Sequence, residues 1–250
     1  MIFETPESPF HILEKLEFSE KVWLQHWYPL ICAFLDIIPE EDEMALRNII
    51  SKCKSNINIE ELQEILFEKE VYVFAPGPSL EEQFHSLDLS SNSDNVLISA
   101  DGATSFLLEQ NIIPDIVVSD LDGQVNEQII AQKQGSILLV HIHSHNTLTV
   151  EKVISQLCKR RLAITTQLNP INGSYNFLGF TDGDRGVCLS TWGKAVKTVL
   201  VGFDFGDKIG KYSKVKKLTR QQKDRKLKKF VIAKSVINWC FHNGCKINYL

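Results

Sequence analysis

From residue 70 onward the chain is built of short apolar runs, each separated from most of its neighbours by a stretch long enough for a helix. The runs are 71–74 (VYVF), 96–98 (VLI), 116–118 (IVV), 137–140 (ILLV), 162–165 (LAIT) and 198–201 (TVLV). They are continuously apolar rather than alternating, the pattern of strands buried on both faces. The layout predicts an α/β fold, doubly wound, with a mainly parallel sheet and helices on both faces. A last long helix is expected over 221–242, and 245–250 is placed to add a final strand.

The first part of the chain reads differently. Trp23, Trp27, Leu30, Ile31 and Phe34 recur at helical spacing, and Pro29 should kink or divide that helix. A second helix is expected from Pro39, with Glu40, Glu41, Asp42 and Glu43 near the positive end of its dipole. Met44, Leu46, Ile49, Ile50 and Cys53 would form its apolar side. The expected division is a helical N-terminal subdomain over 1–68 and an α/β domain over 69–250 that carries the candidate site.

A net charge of −4 argues against a surface built as a whole to attract nucleic acid or anionic lipid. The charge is uneven, since 208–229 holds eleven Lys and Arg against the single acid Asp224. Such a run is a solvated face or a lid that neutralises phosphates, and it lacks the interleaved aromatics of a nucleic-acid groove. No apolar run approaches the ~20 residues needed to cross a bilayer, and the N-terminal MIFETPESPF has no signal-peptide layout. Six scattered cysteines without a C-x-x-C pair read as reduced, mostly buried thiols. The expected setting is cytoplasmic, with no nucleic-acid or membrane partner.

The unusual polar residues fall immediately after the apolar runs. Ala75-Pro76-Gly77-Pro78-Ser79 follows Phe74, Ser99-Ala100-Asp101-Gly102 follows Ile98, and Ser119-Asp120-Leu121-Asp122-Gly123 follows Val118. His141-Ile142-His143 follows Val140, and Gly202-Phe203-Asp204-Phe205-Gly206 follows Val201. Each would sit at the carboxyl end of a strand, the edge where open parallel sheets bind ligands. Five segments would therefore project into one crevice.

Asp120-x-Asp122 is the sharpest element, because two carboxylates leaving a strand can grip Mg²⁺ with water and phosphate completing its shell. Asp101 is a further candidate ligand. Thr181-Asp182-Gly183-Asp184-Arg185-Gly186 offers more acids and a guanidinium for phosphate, or else a turn that caps a helix. Ser79 and Glu82 have capping-box spacing, and amides around Gly77, Pro78 and Ser79 would be a weaker phosphate site. His141 and His143 are read as phosphate or substrate contacts, with zinc at His141, His143 and His145 as the lesser alternative.

These motifs, in this order and across nearly the whole chain, resemble the archaeal 6-hydroxymethyl-7,8-dihydropterin pyrophosphokinases of methanopterin biosynthesis. The resemblance rests on Trp23/Trp27-Tyr28, Ala75–Leu80, Ala100–Ala103, Pro114–Gly123, His141-x-His143, Gly179–Arg185, Gly202–Gly206 and Ile209–Ser213. The Ala-Asp-Gly and Pro-Asp-x₄-Asp-x-Asp segments also look like thiamine pyrophosphokinases. The resemblance implies diphosphate transfer from ATP to the hydroxymethyl oxygen of a reduced pterin, with AMP released. It implies that Asp120, Asp122 and Asp101 bind Mg²⁺ and that Asp182, Asp184 and Arg185 complete the catalytic group. Gly77, Pro78, Ser79, Gly102, His141, His143 and Lys211 would contact the nucleotide or substrate.

The chain departs from that family twice. His141-Ile142-His143-Ser144-His145-Asn146 stands where the pattern is H-x-H-G-D-N, and Leu178 stands where a second glycine precedes Gly179. The rival readings are a D-x-D glycosyltransferase, a thiamine-type pyrophosphokinase and a nucleotide sensor without turnover. A homodimer is compatible with the sequence.

Overall fold

The computed structural model describes residues 8–89, 94–206, 208, 210–213 and 219–250. Seven strands form one sheet: β1 (Glu70–Phe74), β2 (Val96–Ala100), β3 (Ile116–Ser119), β4 (Ile137–His141), β5 (Leu162–Thr165), β6 (Lys197–Val201) and β7 (Ile247–Tyr249). Their spatial order is β5-β4-β3-β2-β1-β6-β7, and every neighbouring pair is parallel. All carboxyl ends therefore share one edge. The order reverses at β1, which has β2 on one side and β6 on the other.

The continuous apolar runs are explained by burial on two faces. Tyr72, Phe74, Val199 and Val201 pack against Leu80 of α5 (Leu80–His85) and Phe106 of α6 (Ala103–Glu109). Val117, Leu138, Val140 and Ile164 pack with α7 (Val125–Lys133) and α8 (Thr147–Leu157). The alternate residues Val71, Val73, Ile98, Val118 and Leu139 face α9 (Asp182–Trp192) and α10 (Arg220–His242).

The N-terminal helices pack into the same clusters. The first begins as α1 (Glu20–Val22), widens into a π-helical turn over Trp23–Trp27 and resumes as α2 (Tyr28–Leu35). Pro29 lies in the first turn of α2. It has no N–H to donate and its ring crowds the preceding turn, so the helix is divided there by a π segment. Trp27 stacks on Trp23 at 6.3 Å and against Trp239 of α10 at 5.0 Å between ring centroids. The next helices are α3 (Pro39–Lys52) and α4 (Ile59–Leu66).

Two expectations fail. Met44 is 72 % exposed, because the buried stripe of α3 runs through Asp42, Ala45, Leu46, Ile49 and Ile50. The cysteines are not all thiols: Cys53 and Cys158 are joined, with 6.1 Å between their Cα atoms. They end α3 and α8, helices that pack side by side, so a pairing across 105 residues of sequence is adjacent in space. Cys32, Cys188, Cys240 and Cys245 are free and buried. Among the described residues no helix is long and apolar enough to cross a membrane.

Candidate active site

The carboxyl edge opens into two clefts. The first, of about 210 Å³, lies where the strand order reverses, between the turns after β1 and β6. Pro76, Gly77, Asp101, Asp182, Phe203 and Phe205 are among the residues that line it. The second, of about 300 Å³, lies beyond β3 and β4 and includes Asp120, Asp122, His141, His143, Gln167 and Arg185. The five strand-end segments thus share an edge but divide between two hollows rather than filling one crevice.

Backbone crowding sets the first cleft. A Cβ on Gly77 would collide with the Gly202 carbonyl, and one on Gly102 would collide with the Tyr212 carbonyl. Only glycine allows these strand-end turns to stack so closely. Pro78 also lines the cleft. Ser79 does not cap α5: its amide and hydroxyl both donate to Asp204 Oδ2, at 2.8 and 2.7 Å. The capping-box expectation is therefore corrected, because a carboxylate from the turn after β6 outcompetes the helix's own amides.

Three carboxylates approach one another between the clefts. Asp101 sits in the left-handed region, φ 44°, and its Oδ1 accepts from Gln128 Nε2 at 2.9 Å and Ser119 Oγ at 3.4 Å. Asp120 Oδ1 accepts from the Asp122 amide at 3.1 Å, a local turn that fixes both acids of the D-x-D. Asp182 Oδ1 lies 3.3 Å from Arg185 NH1. Desolvation first, then the charges of Asp120 and Asp101, push the Asp182 carboxyl well above the ordinary carboxylate range, and Arg185 only partly opposes them.

Asp184 has a different role. Its carboxylate accepts from the Phe180 and Thr181 amides and from the Thr181 hydroxyl, closing a capping box at the start of α9. It is buried and lines neither cleft. The helix begins at Asp182, earlier than residue 186. Leu178 and Gly179 before it are both left-handed, φ 67° and 83°. A glycine would be unstrained where Leu178 stands, a backbone reason for the glycine expected there from the resemblance.

The histidines are not equivalent. His143 Nδ1 accepts from the His145 amide at 3.2 Å, so in the neutral ring the proton sits on Nε2, which donates to Asp120 Oδ2 at 3.3 Å. His143 therefore orients Asp120. His141 is 1 % exposed. Burial, with Arg185 and His143 adding to it, pushes its pKa well down and keeps it neutral. Its Nδ1 reaches Thr165 Oγ1 at 3.4 Å, and its Nε2 has no hydrogen-bond partner among the described residues.

Asn146 emerges from the structure as a further positioning residue. Its Nδ2 donates to the carbonyls of Asp120 and His141, both at 2.6 Å, and its Oδ1 accepts from the His143 amide at 3.1 Å. One side chain thus ties the ends of β3 and β4. Asn146→Ala is expected to lower kcat by about 10- to 100-fold, the usual cost of losing support behind a ligand-holding group. A kcat within twofold of the parent, measured by product formation, would remove Asn146 from this role.

A buried polar chain walls the second cleft. Tyr28 Oη donates to Asp42 Oδ2 at 3.3 Å, and Gln167 Nε2 donates to the same oxygen at 2.9 Å. Arg185 NH2 reaches Gln167 Oε1 at 3.5 Å, while NH1 holds Asp182. Asp42 also accepts from the Ser144 amide at 2.8 Å. Helix α3 thereby connects to the acid cluster.

Among the described residues no group of three or more His, Cys, Asp or Glu forms a ready-made metal cage. The mutual repulsion at Asp182 is nonetheless the situation a divalent cation relieves, and Mg²⁺ needs only one or two protein carboxylates. The chemistry of Asp101, Asp120, Asp122 and Asp182 fits such an ion. Lys211 lines neither cleft; it is paired with Glu81 at 3.0 Å. From the basic segment, Lys208 and Lys226 line the first cleft and Arg225 and Lys229 the second. Lys214, Lys216 and Lys217 lie outside the described residues.

The sequence profile described as "6-hydroxymethylpterin diphosphokinase MptE-like" matches residues 47–210. Three archaeal proteins named 6-hydroxymethyl-7,8-dihydropterin pyrophosphokinase are similar to this chain. The Pyrococcus furiosus protein is 40% identical over 210 residues, 82% of this chain and 87% of its own length. The Methanocaldococcus jannaschii protein is 37% identical over 209 residues, covering 80% and 85%. The Methanothermobacter thermautotrophicus protein is 38% identical over 178 residues, covering 69% and 74%. On the profile match and these similarities, the chain belongs to the MptE-like 6-hydroxymethylpterin diphosphokinase family.

Proposed function

We propose that this protein transfers a diphosphate group from ATP to the hydroxymethyl oxygen of 6-hydroxymethyl-7,8-dihydropterin, releasing AMP, in the synthesis of a methanopterin-type cofactor. The observation that carries this reading is the placement of Asp101, Asp120 and Asp182 between two clefts, where two substrates can meet across one charge-neutralising centre. The acceptor hydroxyl gives its proton to solvent, and its oxygen bonds to the β-phosphorus as the oxygen bridging to the α-phosphorus leaves on AMP. Such transfers need positioning and neutralisation more than covalent chemistry.

Asp101, Asp120 and Asp122 are the residues assigned to hold Mg²⁺. That ion would neutralise charge on the transferring phosphates. His143 and Asn146 keep Asp120 in place, and Gln128 and Ser119 do so for Asp101. Arg185, held by Asp182 and Gln167, brings a guanidinium to the same centre.

The test is a nucleotide-product assay with ATP, Mg²⁺ and the reduced pterin. AMP in equal amount to the pterin diphosphate is the expected result. ADP as the sole product would make the enzyme a monophosphoryl kinase. Turnover of thiamine or of a nucleotide-sugar, with the pterin inert, would transfer the protein to a rival class.

A further inference from the structure

Both clefts touch the acid centre, but their chemistry differs. The first lies at the reversal of strand order, where doubly wound sheets hold nucleotides. Phe203, Phe205 and Phe230 give it aromatic surface suited to a purine, and Lys208 and Lys226 bring charge for phosphates.

The second cleft is walled by hydrogen-bonding groups whose positions are set. Asp42 and Gln167 are 3 % and 4 % exposed and are joined to each other and to Arg185. His141 lines the same cleft with a buried Nε2 that lacks a partner among the described residues. An unpaired buried nitrogen is unfavourable and is compensated when a ligand supplies the missing hydrogen bond. The three cations of this lining, Arg185, Arg225 and Lys229, are outnumbered by its five carboxylates, Asp36, Glu41, Asp42, Asp120 and Asp122. A triphosphate would find little charge to spend. A flat, uncharged heterocycle with a donor and acceptor edge matches a wall of fixed amide, carboxylate and imidazole groups.

We infer that the second cleft is the acceptor subsite, taking the heterocycle of the hydroxymethyl substrate against Gln167, Asp42 and His141, while the first cleft takes ATP. This assignment rests on the diphosphotransferase reading and deepens it. It also gives the N-terminal helices a part in specificity, since Asp42 and Ile38 belong to α3 and its lead-in.

Ile38 is 54 % exposed and lines the second cleft but not the first, so Ile38→Trp obstructs it without disturbing the core. The KM for the reduced pterin should rise about tenfold or more, with the KM for ATP within about twofold of the parent. A rise confined to ATP, or no change in either, would overturn the assignment. A second measurement needs no substitution. The His141 imidazole resonances of the intact protein should shift on saturation with 6-hydroxymethylpterin and stay in place with α,β-methylene-ATP. The reverse pattern would refute the subsite. Failure of the underlying reaction is separable: a parent enzyme that releases no AMP from ATP and the pterin loses both claims, whereas one that releases AMP but responds to Ile38→Trp through ATP loses only the subsite.

Discussion

Replacing Asp120 with asparagine should reduce diphosphate transfer by about 10³-fold, equivalent to about 4 kcal/mol of transition-state stabilisation. The fold should survive. Asparagine retains an Oδ1 able to accept from the Asp122 amide, and the Asp120 carbonyl that Asn146 grips is backbone. What disappears is the negative charge at the boundary of the clefts and the acceptor of the His143 proton. Steady-state kinetics with a thermal melt separates the two effects: activity should collapse with Tm within about 3 °C of the parent. Asp122→Asn should share the loss. Near-normal turnover in both variants would dismiss the D-x-D pair from the chemistry.

The second large effect runs in opposite directions for stability and activity. Asp182 is buried with its carboxyl pushed up by desolvation and by its neighbours Asp120 and Asp101. A folded-state pKa above the unfolded one means that the folded protein loses stability as pH rises from the ordinary carboxylate range through that raised value. Asp182→Asn abolishes this loss. In cation-free buffer near pH ~8 the variant should melt higher than the parent, by about 2–4 °C for each kcal/mol recovered. The advantage should fade as pH is lowered toward ~4, where the parent carboxyl is itself protonated. Transfer should meanwhile fall steeply, because the centre has lost a charge and the Arg185 partner. A variant that melts lower than the parent at both ends of that pH range would show the Arg185 pair outweighing the repulsion.

The sheet was legible because its strands obey one rule: runs apolar on both faces, each followed by a polar turn. All six runs and the terminal strand stand where the pattern puts them, within a residue or two. The same rule placed Asp101, Asp120, His141 and Asp204 on one edge. Applied to β5 it would also have found Gln167, which follows Thr165 by two residues. Asp42 was readable too, since it lies four and seven residues before Leu46 and Ile49 on the buried stripe of α3. Reading the four acids of that turn only as partners of the dipole hid it.

Other features depend on distances no local pattern encodes. Ser79 looked like a cap because Glu82 follows at the right spacing, yet its partner is Asp204, 125 residues away. The Cys53–Cys158 bond arises from two helix ends meeting on one face of the sheet. Asn146 stood in a recognised motif without a role until its two donated hydrogen bonds were seen to join β3 and β4. Asp184 matched the family pattern as an acid, but its oxygens are consumed by the first turn of α9.

The stack of Trp23 and Trp27 on Trp239 has a bearing on how the chain is made. These indoles are far apart in sequence, so on the ribosome the early pair stays without its partner until α10 has been made. Until then two large apolar surfaces must be shielded by provisional contacts, and docking of α10 is the event that seals them. A nascent chain stalled before residue 239 should therefore show wetter, red-shifted tryptophan emission than the released protein.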